Sequence, residues 1–146
     1  MLKELKNRLV EKSINFASNK HEGQLDKQGY PYILHPLAVM KMMENIEDKI
    51  VAVLHDVLED TDATTKDLKR LGLPNELILD IVALTKLAEE SRENYIARVK
   101  KRPRAKRVKN VDIEHNLSTD RIDNLDYHTG FRLINKYYKD KRNLNE

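Results

Sequence analysis

The residues best suited to chemistry in this chain are His55, Asp56, Glu59 and Asp60, gathered in the segment VLHDVLEDTD. Around them Ile50, Val51, Ala52, Val53, Leu54, Val57 and Leu58 make a helix, spanning Glu47 to Asp60, apolar around most of its girth, and such a helix is normally buried. At roughly 100° per residue, with His55 at zero, Asp56 falls at roughly 100°, Glu59 at roughly 40° and Asp60 at roughly 140°. All four therefore project to one flank. A buried, unpaired carboxylate costs several kcal/mol or takes up a proton. A divalent cation on this flank would remove that penalty; so would water, or lysines from a neighbouring helix.

A metal site needs ligands from several elements. His35 stands between Tyr32 and Pro36 at a loop–helix junction, where a restricted backbone would fix an imidazole. Taken singly, it fits a helix-start or core histidine better than a ligand. Asp112 lies in VKNVD, in a helix whose Val108 and Val111 face inward. Asn116 and Thr119 follow about one and two turns later, with His115 close beside. That stripe is polar where a bundle helix would be apolar, unless it faces solvent. The chain has no cysteine, which excludes disulfides, thiolate nucleophiles and cysteine-based zinc sites, so any metal must be held by imidazole and oxygen.

The elements that must position these residues are helical. Glycine and proline number four each, and apolar residues recur at helical spacing over most of the 146 positions, so the fold class is all-α. Leu2, Leu5, Leu9, Ile14 and Ala17 give the first helix an inward stripe, ending near His21 to Gly23. GQLDKQGYPYILHP reads as a loop, with Pro36 in the first turn of the next helix. Thr64 and Asp67 form a capping box for a helix through Leu71; Pro74 starts another, reaching Lys86. A helix with Tyr95, Ile96 and Val99 is interrupted by Pro103, and helix resumes from about Arg104 to Leu117. A last one, through Phe131, Leu133, Ile134, Tyr137 and Tyr138, dissolves into the polar tail KDKRNLNE from about residue 139. No linker or repeat divides residues 1–146, so one domain is expected.

Apolar residues make up 40% and charged residues 35%: enough for a core, and too much charge for a membrane protein. The charged N-terminus, MLKELKNRLVEKS, does not resemble a signal peptide, so a cytoplasmic protein is expected. The net charge is only +3, yet Lys100, Lys101, Arg102, Arg104, Lys106, Arg107 and Lys109 crowd together. Such a run either attracts a polyanion or forms a solvated helix face. No GxGxxG or GxxxxGK[ST] loop supports a dinucleotide or P-loop site.

The order His35, His55-Asp56, Asp112 resembles the H…HD…D signature of HD-domain metal phosphohydrolases. The wider segments H21-x-G-Q, G29-Y-P-Y-I-L-H-P, V53-L-H-D-V-L-E-D-T-D, L84-T-K and V108-K-N-V-D-I-E-H-N-L are similar to one branch. That branch comprises the hydrolase domain of the bifunctional stringent-response synthetase-hydrolases and the free-standing small alarmone hydrolases. The resemblance covers roughly residues 14 to 120 and implies a single-domain HD-type helical bundle. It implies that His35, His55, Asp56 and Asp112 bind manganese, and that Glu59 and Asp60 are the catalytic acidic pair that positions or deprotonates the attacking water. Lys27 matches one of a basic pair near the nucleotide, and Asn116 and Thr119 match residues contacting its ribose and phosphates. Lys109 and part of the basic run would hold phosphates. The chain departs from the pattern at Asp26, where the second basic residue is expected, and at Ile113, where an arginine is expected. An Asp near an anionic ligand repels it and lacks the guanidinium stacking surface.

The implied reaction is hydrolysis of the 3′-pyrophosphate of guanosine tetra- and pentaphosphate, with no synthetase attached because the chain ends before one could begin. The alternatives are another phosphorylated nucleotide (an adenosine alarmone, a nicotinamide dinucleotide 2′-phosphate or a simple nucleotide) or a non-catalytic nucleotide or nucleic-acid binder. The acidic pair argues against a binder, which needs no general base. Iron, cobalt or nickel would suit the same donors as manganese.

Overall fold

The structure is a computed structural model describing residues 2–146, apart from the side chains of residues 119 and 120. Its centre is α3 (Ile46–Leu54), in which Ile50, Val51, Ala52, Val53 and Leu54 are all fully buried. Burying each larger side chain contributes roughly 1.5–3 kcal/mol. The Asn45 side chain caps this helix, accepting from Asp48 N at 2.8 Å. Against α3 pack α1 (Lys3–Lys20), α2 (Leu34–Lys41), α6 (Asn75–Ala83) and α8 (Pro103–Asn116). The short α4 (Val57–Asp60) and α5 (Thr65–Leu71) link the centre to α6, and α7 (Arg92–Lys100) precedes α8. After α9 (Thr119–Ile122), α10 (Tyr127–Asn145) returns along α7 and α8. Among the described residues there is no strand, only an isolated bridge between Leu25 and Pro31. The expected all-α class is what the chain adopts.

The α5 capping box forms as the sequence indicates, with Thr64 and Asp67 bonding each other's backbone N–H. Gly72, at φ +101°, then closes the helix in the left-handed region that only glycine adopts without strain. Three expectations differ. Leu2 and Leu5 are exposed, and the inward face of α1 runs instead through Leu9, Ser13 and Ala17. The helix begun after Pro74 stops at Ala83 and not at Lys86. The last helix does not dissolve at residue 139: it reaches Asn145, because Leu144 is fully buried and Asn145 and Lys141 bond Asn110 and Glu114 of α8.

The basic run is divided: Lys100 and Lys101 are exposed, while three of its arginines bond buried carboxylates. Asp48 of α3 accepts from Arg104 and Arg107, and Asp80 of α6 accepts from Arg102 and Arg104. Both carboxylates are buried, so these arginines tie the start of α8 to the two helices beneath it. No helix among the described residues is long and apolar enough to cross a membrane.

Candidate active site

The helix expected from Glu47 to Asp60 is broken at the His55-Asp56 pair. The Ala52 carbonyl accepts from both His55 N, at 3.3 Å, and His55 Nδ1, at 2.5 Å, and the chain turns into α4. That break aims His55 inward while Asp56, Glu59 and Asp60 line one cleft. His35, near the start of α2, is set by its backbone N–H donating to Tyr32 O at 3.0 Å. Its Nε2 lies 2.7 Å from Oδ1 of Asp112, which α8 brings from the far end of the sequence. His55 Nε2 is 3.0 Å from Asp56 Oδ2 and 3.3 Å from Asp112 Oδ1. Donor atoms of His35, His55 and Asp56 all lie within 4.8 Å of one another.

This donor set fits a divalent cation. A carbonyl can only accept, so His55 Nδ1 donates to Ala52 O and leaves the buried Nε2 facing two carboxylates without a hydrogen bond of its own. Burial alone would raise the Asp56 and Asp112 carboxyls; the charge of His55 beside Asp56, and of Lys109 and His55 beside Asp112, holds both below the usual range. Burial would likewise lower His55, but the two carboxylates drive it well above an ordinary histidine. The centre therefore demands positive charge. A proton on His55 supplies it, and so does a cation, for which two imidazoles and two carboxylates are a familiar transition-metal donor set.

The neighbours hold these ligands in place. Tyr32 donates its hydroxyl to Asp56 Oδ2 at 2.5 Å, and burial followed by the Asp56 charge pushes its phenol above the usual range. Lys109 Nζ donates to Asp112 Oδ2 at 2.9 Å and Asn116 Nδ2 to Asp112 Oδ1 at 3.2 Å. Lys109 is buried and lies over the Tyr95 ring, so its charge is committed to Asp112 although it also lines the cleft. The Thr119 side chain lies outside the described residues. Glu59 Oε1 accepts from Lys86 N at 2.7 Å, which fixes the acid against the Thr85–Lys86 loop. Desolvation, then the charges of Asp56 and Glu59, push the Asp60 carboxyl up to about 7. Gln24 joins His21 to the Asp60 carbonyl, a role for the H21-x-G-Q segment.

The cleft encloses about 360 Å³. Its floor carries His35, Asp56 and Asp112, with His55 buried and outside the lining; its walls carry Lys27, Lys86, Arg92, Arg121 and Lys136. Burial, then the charges of Arg92 and Lys109, lower the Lys136 ammonium. Asp26 bonds the backbone N–H of Gln28 and Tyr30, each at 2.9 Å, and meets Arg121 Nη1 at 3.5 Å. It therefore organises its own loop, and its charge is countered from α9. Arg92, Arg121 and Lys136 were not singled out in the sequence, because they belong to no motif and reach the cleft only through the packing of α7, α9 and α10.

The chain is 40% identical over 97 residues to the guanosine-3′,5′-bis(diphosphate) 3′-pyrophosphohydrolase of Aquifex aeolicus, covering 59% of this chain and 14% of that protein. It is 36% identical over 118 residues to the bifunctional (p)ppGpp synthase/hydrolase SpoT of Escherichia coli, covering 70% of this chain and 17% of that protein. The chain is a relative of the alarmone hydrolases. It spans about a sixth of the length of these curated relatives. The fold is that of a solved metazoan ortholog of SpoT described as hydrolysing ppGpp, with a TM-score of 0.79 over 94% of this chain and 85% of that one, at 24% identity. No family model matches the chain.

Proposed function

We propose that this chain hydrolyses the 3′-pyrophosphate of guanosine tetra- and pentaphosphate, with a divalent cation, manganese first, held by His35, His55, Asp56 and Asp112. The observation that carries the reading is the meeting of these four side chains, with the buried, unbonded Nε2 of His55 facing two carboxylates, at a cleft that His35, Asp56 and Asp112 line and cations wall. The names of the relatives support the same reaction. The cation, when bound, supplies Lewis acidity toward a phosphoryl oxygen and makes water a better nucleophile at neutral pH.

The chain's own residues do the rest. Lys27, Lys86, Arg121 and Lys136 hold the phosphates, and Leu25, Ile122 and Leu133 offer the nucleoside an apolar surface. Glu59 keeps one carboxylate oxygen on the Lys86 N–H and leaves the other to accept a proton from the attacking water. Asp60, which lines the same cleft, orients that water. The bond between phosphorus and the 3′ oxygen breaks, releasing pyrophosphate and a guanosine di- or triphosphate. Lys109 and Asn116 act chiefly by positioning Asp112.

Incubating the purified protein with Mn²⁺ and guanosine tetraphosphate should release pyrophosphate; no release from protein shown to hold the ion would overturn the reading. A second reading, hydrolysis of another phosphorylated nucleotide, is favoured by Asp26 and Ile113. The two are separated by kcat/KM over a panel including an adenosine alarmone and a nicotinamide dinucleotide 2′-phosphate.

A further inference from the structure

His115 stands behind the candidate metal centre and takes no part in the reaction described above. Its Nδ1 lies 2.7 Å from Nδ1 of His35. The ring planes are only 24° apart and the centroids 4.9 Å, close to the most that the nitrogen separation plus the two ring radii allows, so the rings meet edge to edge nearly in one plane. That is the geometry of an in-plane N–H···N hydrogen bond. Two nitrogens this close share one proton: one ring donates and the other must accept.

We infer that His115 is a positioning residue that fixes the tautomer and the ring orientation of His35, by accepting the His35 Nδ1 proton whenever His35 Nε2 serves as a ligand. The inference rests on the metal centre proposed above. The other face of His35 supplies the reason. Its Nε2 points at Asp112 Oδ1 and His55 Nε2 lies against the same oxygen, so Nε2 is the nitrogen at the centre of the cluster. An imidazole nitrogen that gives its lone pair to a cation carries no proton, so the remaining proton of neutral His35 sits on Nδ1. His115 Nδ1 must then accept, and His115 carries its own proton on Nε2.

The second histidine of the cluster follows the same rule by another route, since His55 anchors Nδ1 on the Ala52 carbonyl. The difference is one of supply. At His55 a backbone acceptor comes from the preceding turn of the same helix, whereas His35 at the head of α2 is met by a side chain from α8. His115 lies one helical turn beyond Asp112, so α8 delivers a ligand and the orienting partner of another ligand together. Ligating histidines generally need such a partner, and its loss typically weakens metal binding about 10–100-fold.

The test compares the wild type with His115→Ala and His115→Asn, titrated calorimetrically with Mn²⁺ and with Zn²⁺ in the absence of nucleotide. The Asn carboxamide oxygen can stand near the Nδ1 position and accept. Expected are a loss of affinity of about 10–100-fold in His115→Ala and recovery of most of it in His115→Asn. In the Zn²⁺-loaded wild type, long-range proton–nitrogen spectra of the imidazoles should show His35 protonated at Nδ1 and His115 at Nε2. Unchanged affinity in His115→Ala, no recovery in His115→Asn, or a proton on His115 Nδ1 in the loaded protein would overturn the assignment. The wild-type spectra decide it even where a variant folds poorly. A wild type that binds neither ion refutes the metal centre itself, whereas a tight-binding His115→Ala refutes only the role of His115.

Discussion

Among single residues, the side chains that hold charge at the cleft floor are distinct from those that move protons beside it. Asp56 meets His55 Nε2 at 3.0 Å and accepts from Tyr32, whereas Glu59 accepts from the loop at Lys86 N. Asp56→Ala should therefore lose metal binding and activity together. Glu59→Gln should keep calorimetric metal affinity within a few-fold and lose at least about 100-fold in turnover, in line with removal of a general base. Equal activity in the two variants would contradict these roles. The residue types were readable in the sequence, because carboxylates and a histidine on an apolar helix need an explanation wherever they occur. Their partners were less so. Lys109 stands one helical turn from Asp112, as spacing allows, but Tyr32 acts on Asp56 through a contact that spacing does not reveal, and Arg121 answers the anomalous Asp26 from 95 positions away.

At the scale of elements, ion pairs lock helices whose faces bear on the cleft. Asp48 is buried at the head of α3 and accepts from Arg104 and Arg107 of α8, the helix that carries Asp112. Burial alone would raise its carboxyl, but Arg107 and then Arg104 hold it below the usual range. Asp48→Ala should cost about 2 kcal/mol in urea unfolding, less than for a fully buried pair because Arg107 is half exposed and can be hydrated. A change under about 0.5 kcal/mol, the range of ordinary surface substitutions, would contradict the lock. Glu90 pins Arg98, which also bonds the Thr85 carbonyl beside the Lys86 N–H that Glu59 uses. Hydrogen bonds from Arg98 hold the Glu90 carboxyl at about 2, against 4.5 in the unfolded chain. Its contribution to stability is therefore complete above pH 4.5 and is lost as the pH falls toward 2. Glu90→Gln should flatten that part of the acid side of the wild-type stability curve, measured by urea midpoints; an unchanged slope would remove Glu90 from the account. Helix periodicity located most of these elements, since Gly72, Pro103 and the Thr64 capping box are local signals. It missed the break at His55, where a side chain competes for a backbone carbonyl, and the end of α10, where Leu144 finds a buried place in a polar stretch.

At the scale of the molecule, the fold is a way of bringing α2, the α3–α4 break and α8 to one point. His35 and Asp112 are 77 positions apart in the sequence and 2.7 Å apart in space. The amino-acid order names the donors, but only the packing of α2 and α8 against α3 makes them a cluster, and only the return of α10 walls the cleft with Lys136. One cation is expected among these four side chains, and anomalous diffraction from crystals grown with Mn²⁺ would locate it. A single strong peak within coordination distance of His35, His55, Asp56 and Asp112 is the predicted result; no peak there, or a peak that leaves out the two histidines, would contradict it.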